Sequence, residues 1–337
     1  MQPPIVIIQQ LSTMKTTNEI FDLLSQTFAD VTFDRQPESL YAPIKYALSL
    51  GGKRLRPALL LMAYNLYRDD LQTAMPAALA LEFYHNFTLM HDDVMDRADI
   101  RRGKPTVHKV WNDNAAILSG DTMLLMAFRL MASVPPQHLK AVMDLFIETT
   151  MQIDEGQQLD IDFESRMDVT EEEYIEMIRL KTSVLMACAM KIGAMLADAP
   201  AEEADALYDF GLNLGLSFQL QDDLLDVYGD PETFGKKIGG DILCNKKTYM
   251  LIQALSLSDP LRSTELKGWL TRTLYDPREK IRAVTDIYNR CGVRQLAEQK
   301  INEYFDTAMS QLQALGLPEE RKQVLADVAF KMLKRQR

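Results

Sequence analysis

Cysteine, long apolar runs, strand signals and net positive charge are all in short supply in this sequence. Three cysteines, Cys188, Cys244 and Cys291, are spread over 337 residues and none belongs to a Cys-x-x-Cys pair. That leaves neither a disulfide framework nor a cysteine-held zinc site, and it suits a reducing, cytoplasmic compartment. The one apolar run near the N-terminus, Ile5 to Ile8, is too short for a signal-peptide core or a membrane helix, so no membrane span is expected. A Gly-x-x-x-x-Gly-Lys-Ser/Thr loop is absent, which removes the P-loop nucleotide binders. The formal net charge of -11 lacks the basic footprint of a nucleic-acid binder, so no nucleic-acid partner is expected. A chain this acidic that binds anions must gather its cations locally.

What is present is helical. Apolar residues make up 47% of the chain, enough for a sizeable core, and they recur at spacings of three and four among Ala, Leu, Met, Glu and Lys. Roughly ten helices fit this pattern, separated by short breaks. The breaks fall at Gly51-Gly52, Pro135-Pro136, Asp198 to Pro200, Asp230-Pro231 and Asp259-Pro260. No Gly/Ser linker, low-complexity tract or charge block divides the chain, which predicts a single all-α domain over residues 14–337. Residues 1–13 read as a loose extension, because an ordinary start follows Met14.

Two segments about 130 residues apart share one grammar. His91-Asp92-Asp93-Val94-Met95-Asp96 is followed by Arg101, Arg102 and Lys104, and Gln221-Asp222-Asp223-Leu224-Leu225-Asp226 by Lys236 and Lys237. In a helix, Asp92 and Asp96 lie one above the other, as do Asp222 and Asp226. Traced backwards, the first face runs through Leu81, His85 and Thr88, and the second through Leu207, Gly211, Leu214 and Phe218. Both stripes begin apolar and end in carboxylates, which places the acids at the mouth of a space between packed helices. Stacked carboxylates repel; a hard divalent cation such as magnesium, held by one or two carboxylates together with substrate phosphates, removes the conflict. Acidic clusters more commonly sit on solvated faces, but two copies with apolar approaches and trailing cations argue for the metal.

The cations are grouped too. Gly51-Gly52-Lys53-Arg54-Leu55-Arg56-Pro57 sets three of them at a helix start, with Pro57 suited to the first turn. Free amides and the positive helix end favour a diphosphate there.

These motifs resemble, in order, those of the trans-type polyprenyl diphosphate synthases, the family of farnesyl and geranylgeranyl diphosphate synthases. The resemblance runs from Gly51 to Thr248. It takes in the Gly-Gly-Lys-Arg-x-Arg-Pro segment, the first aspartate motif with Arg101-Arg102-Gly103, Gly156-Gln157 with Asp160, Lys181-Thr182, Phe218 to Asp223, Gly235-Lys236 and Asn245-Lys246. It implies one large helical bundle around a central cavity, magnesium as cofactor, a homodimer, and isopentenyl and allylic diphosphates as substrates. Asp92, Asp96, Asp222 and Asp226 would serve the metal ions. Arg101, Lys181, Thr182, Gln219, Lys236 and Lys246 would hold the allylic diphosphate. Lys53, Arg56, His85 and Arg102 would hold isopentenyl diphosphate, with Arg forks suited to bidentate contacts. Phe218, Gln157 and Asp160 would stabilise the developing cation, with Thr182 and Gln219 also facing it. His91 and His108 read as structural, since magnesium prefers oxygen ligands. The C-terminal Lys331 to Arg337 resembles the basic tail that closes over bound diphosphates in this family, and reads equally well as an exposed helix end whose cations complement the helix dipole.

Product length rests on Phe87, five positions before Asp92, with Thr88 beside it. In this family an aromatic at the first position blocks the elongation cavity, and a second aromatic next to it accompanies the fifteen-carbon product. One aromatic followed by Thr88 therefore implies geranylgeranyl diphosphate, twenty carbons, with farnesyl diphosphate as the alternative. A non-catalytic prenyl-diphosphate-binding subunit would be expected to have lost one aspartate motif, and a terpene cyclase or squalene-type synthase would lack the Gly-Gly-Lys-Arg-x-Arg-Pro anchor.

Overall fold

The computed structural model describes residues 14–33, 35–230 and 238–334. The expected N-terminal extension, Lys236 with its neighbours, and the last three residues of the basic tail lie outside them.

The helices begin where local chemistry starts them. α1 (Thr17–Ala29) opens on a reciprocal box in which Thr16 and Glu19 cap each other. α2 (Glu38–Ser49) ends before the Gly51-Gly52 break, and α3 (Leu55–Asn65) carries Pro57 in its first turn. α4 (Met75–Met95) follows, then a two-residue-stranded hairpin, β1 (Ile100–Arg101) and β2 (Lys104–Pro105), and a single turn, α5 (Val107–Val110). α6 (Asp113–Met131) is capped by Asn112, and α7 (Pro136–Glu164) starts on the second proline of the Pro135-Pro136 break. α8 (Glu171–Ile178) runs through a π-turn, Arg179–Ser183, into α9 (Val184–Leu196), and α10 (Ala201–Tyr228) follows the break at Asp198 to Pro200. A short α11 (Gly240–Leu243), α12 (Tyr249–Leu257), α13 (Pro260–Thr271), α14 (Pro277–Cys291), α15 (Val293–Ala314) and α16 (Glu319–Leu333) complete the chain.

The fold is all-α, as the periodicity predicts, but with more than the expected ten or so helices. Elements of four residues, such as α5 and α11, are too short to show a period. The hairpin is the one strand pair among the described residues. Arg102 and Gly103 form its turn with φ of 52° and 76°, the two positive values that a two-residue hairpin loop of type I′ requires.

α10 runs through the middle and serves two apolar clusters. Leu207, Phe210 and Leu214 pack with residues of α1 to α7 and α9. Leu216, Leu220, Leu224 and Val227 pack with α8 and α12 to α15. Residues of α4, α7, α9 and α10 line a common cleft. No helix among the described residues is long and apolar enough to cross a membrane.

Candidate active site

Two cavities of about 390 and about 700 Å³ lie side by side in this cleft. Arg56, His85, Arg102 and Phe218 line both and so form the wall between them.

The smaller cavity gathers the aspartate motifs. Asp92 from α4 and Asp222 from α10 line it, with Arg101 from the hairpin, Gln157 from α7, Lys181 and Thr182 from the π-turn, and Gln219 from α10. Burial above all, with the nearby Asp96 and Asp160 carboxylates, holds the Asp92 carboxyl above its ordinary range, against the pull of Lys181 and Arg101. Asp96 caps the end of α4, is exposed, and lines neither cavity. Asp226 lines neither cavity. Its Oδ2 accepts from the Asp241 amide at 2.9 Å, which ties α10 to the start of α11.

Lys181 reaches the cavity because the helix bulges. The π-turn at Arg179–Ser183 adds a residue to one turn and re-aims the side chains after it. The backbone there presses against Gly156 of α7, where an added Cβ would stand 2.3 Å from the Lys181 nitrogen. Asp160, expected to face the cation, is placed on the lysines instead: Oδ2 lies 2.6 Å from Lys181 Nζ and 4.0 Å from Lys246 Nζ. Although burial works against it, these two ammonium groups hold the Asp160 carboxyl below its usual range. Burial likewise pulls the Lys246 ammonium down, but Asp160, Asp241, Asp223 and Asp96 more than offset this and leave its pKa raised.

The larger cavity is basic. Lys53, Arg54, Arg56, Arg102 and Lys331 line it, together with Glu82 and apolar residues of α1 and α16. Arg102 lies against Gly52, where a Cβ would stand 2.6 Å from the guanidinium carbon and push that side chain aside. Burial lowers the Arg56 pKa to about 10, and its Nε is buried without a hydrogen-bond partner among the described residues. Its Nη1 lies 3.1 Å from His85 Nε2. An arginine only donates, so His85 accepts at Nε2 and keeps its proton on Nδ1. Burial, then the neighbouring Arg56, Arg102 and Arg101, push the His85 pKa well below the usual value and keep the ring neutral.

Four contributors escaped the sequence reading. Glu82, 4% exposed, lies among Arg54, Arg56 and Arg102; burial raises its pKa although Asn86 and those arginines oppose it. The only trace in the sequence is a lone acid inside the apolar run Ala77 to Phe83. The middle aspartate of each motif also turns away from the cavities. Asp93 accepts from Arg101 Nε at 2.7 Å, which aims that arginine. Asp223 accepts from Tyr174 Oη at 2.5 Å and from Gln219 Nε2 at 2.9 Å, while Gln219 Oε1 accepts from Thr182 Oγ1 at 3.1 Å. Burial first, and then Asp241, lift the Asp223 carboxyl to about 7. Tyr174 carries no signal of this role in the sequence.

Phe87 and Thr88 also line the smaller cavity. The Phe87 ring lies 4.7 Å from the His91 ring and 5.6 Å from that of Tyr84, which in turn is 5.6 Å from Phe146. Thr88 Oγ1 bonds back to the His85 carbonyl, so its small side chain follows the helix. His91 meets the Ile117 carbonyl at 3.0 Å, and His108 meets Thr106 Oγ1 at 3.2 Å, structural contacts in both cases.

Asp92, Asp154 and Asp222 bring carboxylate oxygens to the smaller cavity, beside His91, and such oxygens suit a hard divalent ion. Among the described residues no three acidic, histidine or cysteine side chains come together as a complete metal cage. The raised Asp92 carboxyl is the kind of buried charge such an ion relieves.

An all-α bundle with facing aspartate motifs beside a basic pocket is the architecture of a prenyltransferase. The chain belongs to the polyprenyl synthetase family, whose model matches residues 37–288. It is 40% identical to a geranylgeranyl diphosphate synthase of Methanosarcina mazei, over 89% of this chain and 91% of that one. It is 42% identical to a short chain isoprenyl diphosphate synthase of Methanocaldococcus jannaschii, over 68% and 70%. A crystal structure of a geranylgeranyl pyrophosphate synthase superposes with a TM-score of 0.91 at 41% identity, covering 96% of this chain and all, 100%, of that one.

Proposed function

We propose that this prenyltransferase joins isopentenyl diphosphate to allylic diphosphates with magnesium and releases the twenty-carbon geranylgeranyl diphosphate. The observation that carries this reading is the shared wall of Arg56, His85, Arg102 and Phe218 between an aspartate-lined cavity and an arginine-lined one. Two diphosphates are thereby held apart while their carbon ends meet.

Asp92 and Asp222, with Asp96 at the end of α4, would hold magnesium, and Asp226 supports them by fixing the start of α11 at Asp241. When bound, that ion would supply Lewis-acid stabilisation of the diphosphate leaving group. Lys181, Arg101 and Lys246 take phosphate oxygens of that leaving group, the first and last steadied by Asp160. The Phe218 ring and the oxygens of Thr182, Gln219 and Gln157 face the allylic cation. On the other side of Phe218, Lys53, Arg56, Arg102 and the Nδ1 proton of neutral His85 hold isopentenyl diphosphate. Its double bond attacks the cation, and the adjacent proton leaves to the released diphosphate, so no His or Glu base is needed.

The growing chain descends toward Phe87. Its ring, backed by Tyr84 and Phe146, supports a floor at twenty carbons, since Thr88 leaves room that a second aromatic would fill. A homodimer is part of this reading. α6 exposes Leu118 and Leu125 at 59% and 70%, and α7, in ring contact with α6 through Phe128 and Phe146, exposes Met151 at 51%. A cytoplasmic setting rests on the three free cysteines.

Incubating the protein with isopentenyl diphosphate, each allylic primer and magnesium, then sizing the dephosphorylated alcohols, tests the proposal. A dominant twenty-carbon alcohol supports it; a fifteen-carbon product moves the floor, and no elongation refutes it.

A further inference from the structure

Lys280 belongs to neither cavity, yet it is 0% exposed. A buried ammonium is costly unless it is paired. Lys280 forms no ion pair among the described residues; its Nζ donates to Asn245 Oδ1 at 2.7 Å and to the Leu243 carbonyl at 3.3 Å. The Tyr275 ring covers it, with the ring centre 4.5 Å away.

Both oxygens belong to the turn that follows α11. Asn245 sits there in a left-handed conformation, φ 55°, and its amide donates to the Leu270 carbonyl at 3.0 Å, so its side chain is pinned from two sides. The reversal lets the Lys246 amide bond to the Asp241 carbonyl at 2.9 Å, and it sends the Lys246 ammonium to Asp160. A lysine from α14 is the group that reaches this turn with more than one hydrogen to give. A methionine of the same length would fill the space and hold nothing.

We propose that Lys280 is a positioning residue for the allylic diphosphate: by bonding Leu243 and Asn245 it fixes the turn that sets Lys246 on Asp160, the carboxylate it shares with Lys181 of the aspartate-lined cavity. The inference rests on the reading of Lys246 as a ligand of that diphosphate.

The molecule supplies its own control. Lys322, 3% exposed, is also buried, and its Nζ bonds the Gln313 carbonyl at 3.1 Å and Glu319 at 2.7 Å, between α15 and α16. None of these three residues lines either cavity.

Steady-state kinetics with each substrate varied, beside melting curves, tests the role in Lys280→Met, Lys322→Met, Lys246→Ala and the Lys246→Ala/Lys280→Met double variant. Lys280→Met should raise the allylic KM about tenfold, the scale of losing an orienting partner, and leave the isopentenyl KM within about twofold. Lys322→Met should lower Tm and move neither KM. The double variant should raise the allylic KM no further than Lys246→Ala alone, because the two act in series. Asn245→Gly, which keeps the left-handed backbone and deletes the acceptor, should show the same split and carries the test if Lys280→Met does not fold. An allylic KM raised in Lys246→Ala but unmoved in Lys280→Met and Asn245→Gly overturns the positioning role alone. Both KM values rising together in Lys280→Met, or additive effects in the double variant, overturn it too. An allylic KM unmoved in Lys246→Ala overturns the assignment of Lys246, and the positioning role with it.

Discussion

Asp160 stands 2.6 Å from the Lys181 ammonium and 4.0 Å from that of Lys246, so one carboxylate steadies two cations from different parts of the chain. Lys181 arrives on the π-turn and Lys246 on the turn after α11. Without a carboxylate between them the two charges would repel across a half-buried site. With it, both ammonium groups are held at one carboxylate.

Asp160→Asn should therefore raise the allylic KM about tenfold and spare the isopentenyl KM. Its pH signature follows from the lowered carboxyl pKa. A depressed carboxyl stabilises the fold fully above its unfolded pKa of about 3.9 and loses that contribution as pH falls through the folded value. The Tm gap between wild type and Asp160→Asn should be flat from about pH 5 to 8 and close below about pH 4. A gap that instead opens on acidification would contradict the ion pairs.

Asp92→Asn and Asp222→Asn keep helix shape and remove a charge from each side of the smaller cavity. Turnover should fall by about 100-fold or more in each, the scale of losing a principal electrostatic stabiliser. Near-normal rates at saturating magnesium in both would remove the metal from these residues.

Lys53→Ala and Arg56→Ala alter the larger cavity. Each should weaken isopentenyl diphosphate more than the allylic substrate, about tenfold or more in KM for Arg56, whose charge-assisted bonds are the stronger. A change confined to the allylic KM would show that the two cavities have been assigned the wrong way round.

The exposed leucines of α6 test the assembly. Leu118→Asp with Leu125→Asp places charge on the apolar face. Sedimentation should show two chains for the wild type and one for the variant; a variant that remains dimeric would put the interface elsewhere.

How much of this was legible beforehand depends on the kind of signal. The helix breaks were readable because Pro and Gly act locally: Pro136 and Pro260 each open a helix where the pattern stops. The pairing of Asp92 with Asp222 was readable because the same apolar-to-acid stripe occurs twice. The spacing of four misleads at the ends of the motifs. α4 stops at Met95 and leaves Asp96 exposed outside both cavities, and Asp226 faces the Asp241 amide. Tyr174, Glu82 and the π-turn were invisible, because their roles arise from neighbours distant in sequence that only packing brings together.

The central claim is that a prenyl chain grows from the aspartate motifs toward Phe87 and stops there at twenty carbons. Chromatography of the dephosphorylated products of wild type and Phe87→Ala, with a melting curve for each, tests it most directly. The account predicts a twenty-carbon alcohol from the wild type and longer alcohols from an active Phe87→Ala, extended only as far as Tyr84 and Phe146 allow. A Phe87→Ala enzyme that loses roughly 3–5 kcal/mol of stability and still makes the wild-type product would show an ordinary core aromatic and contradict the floor.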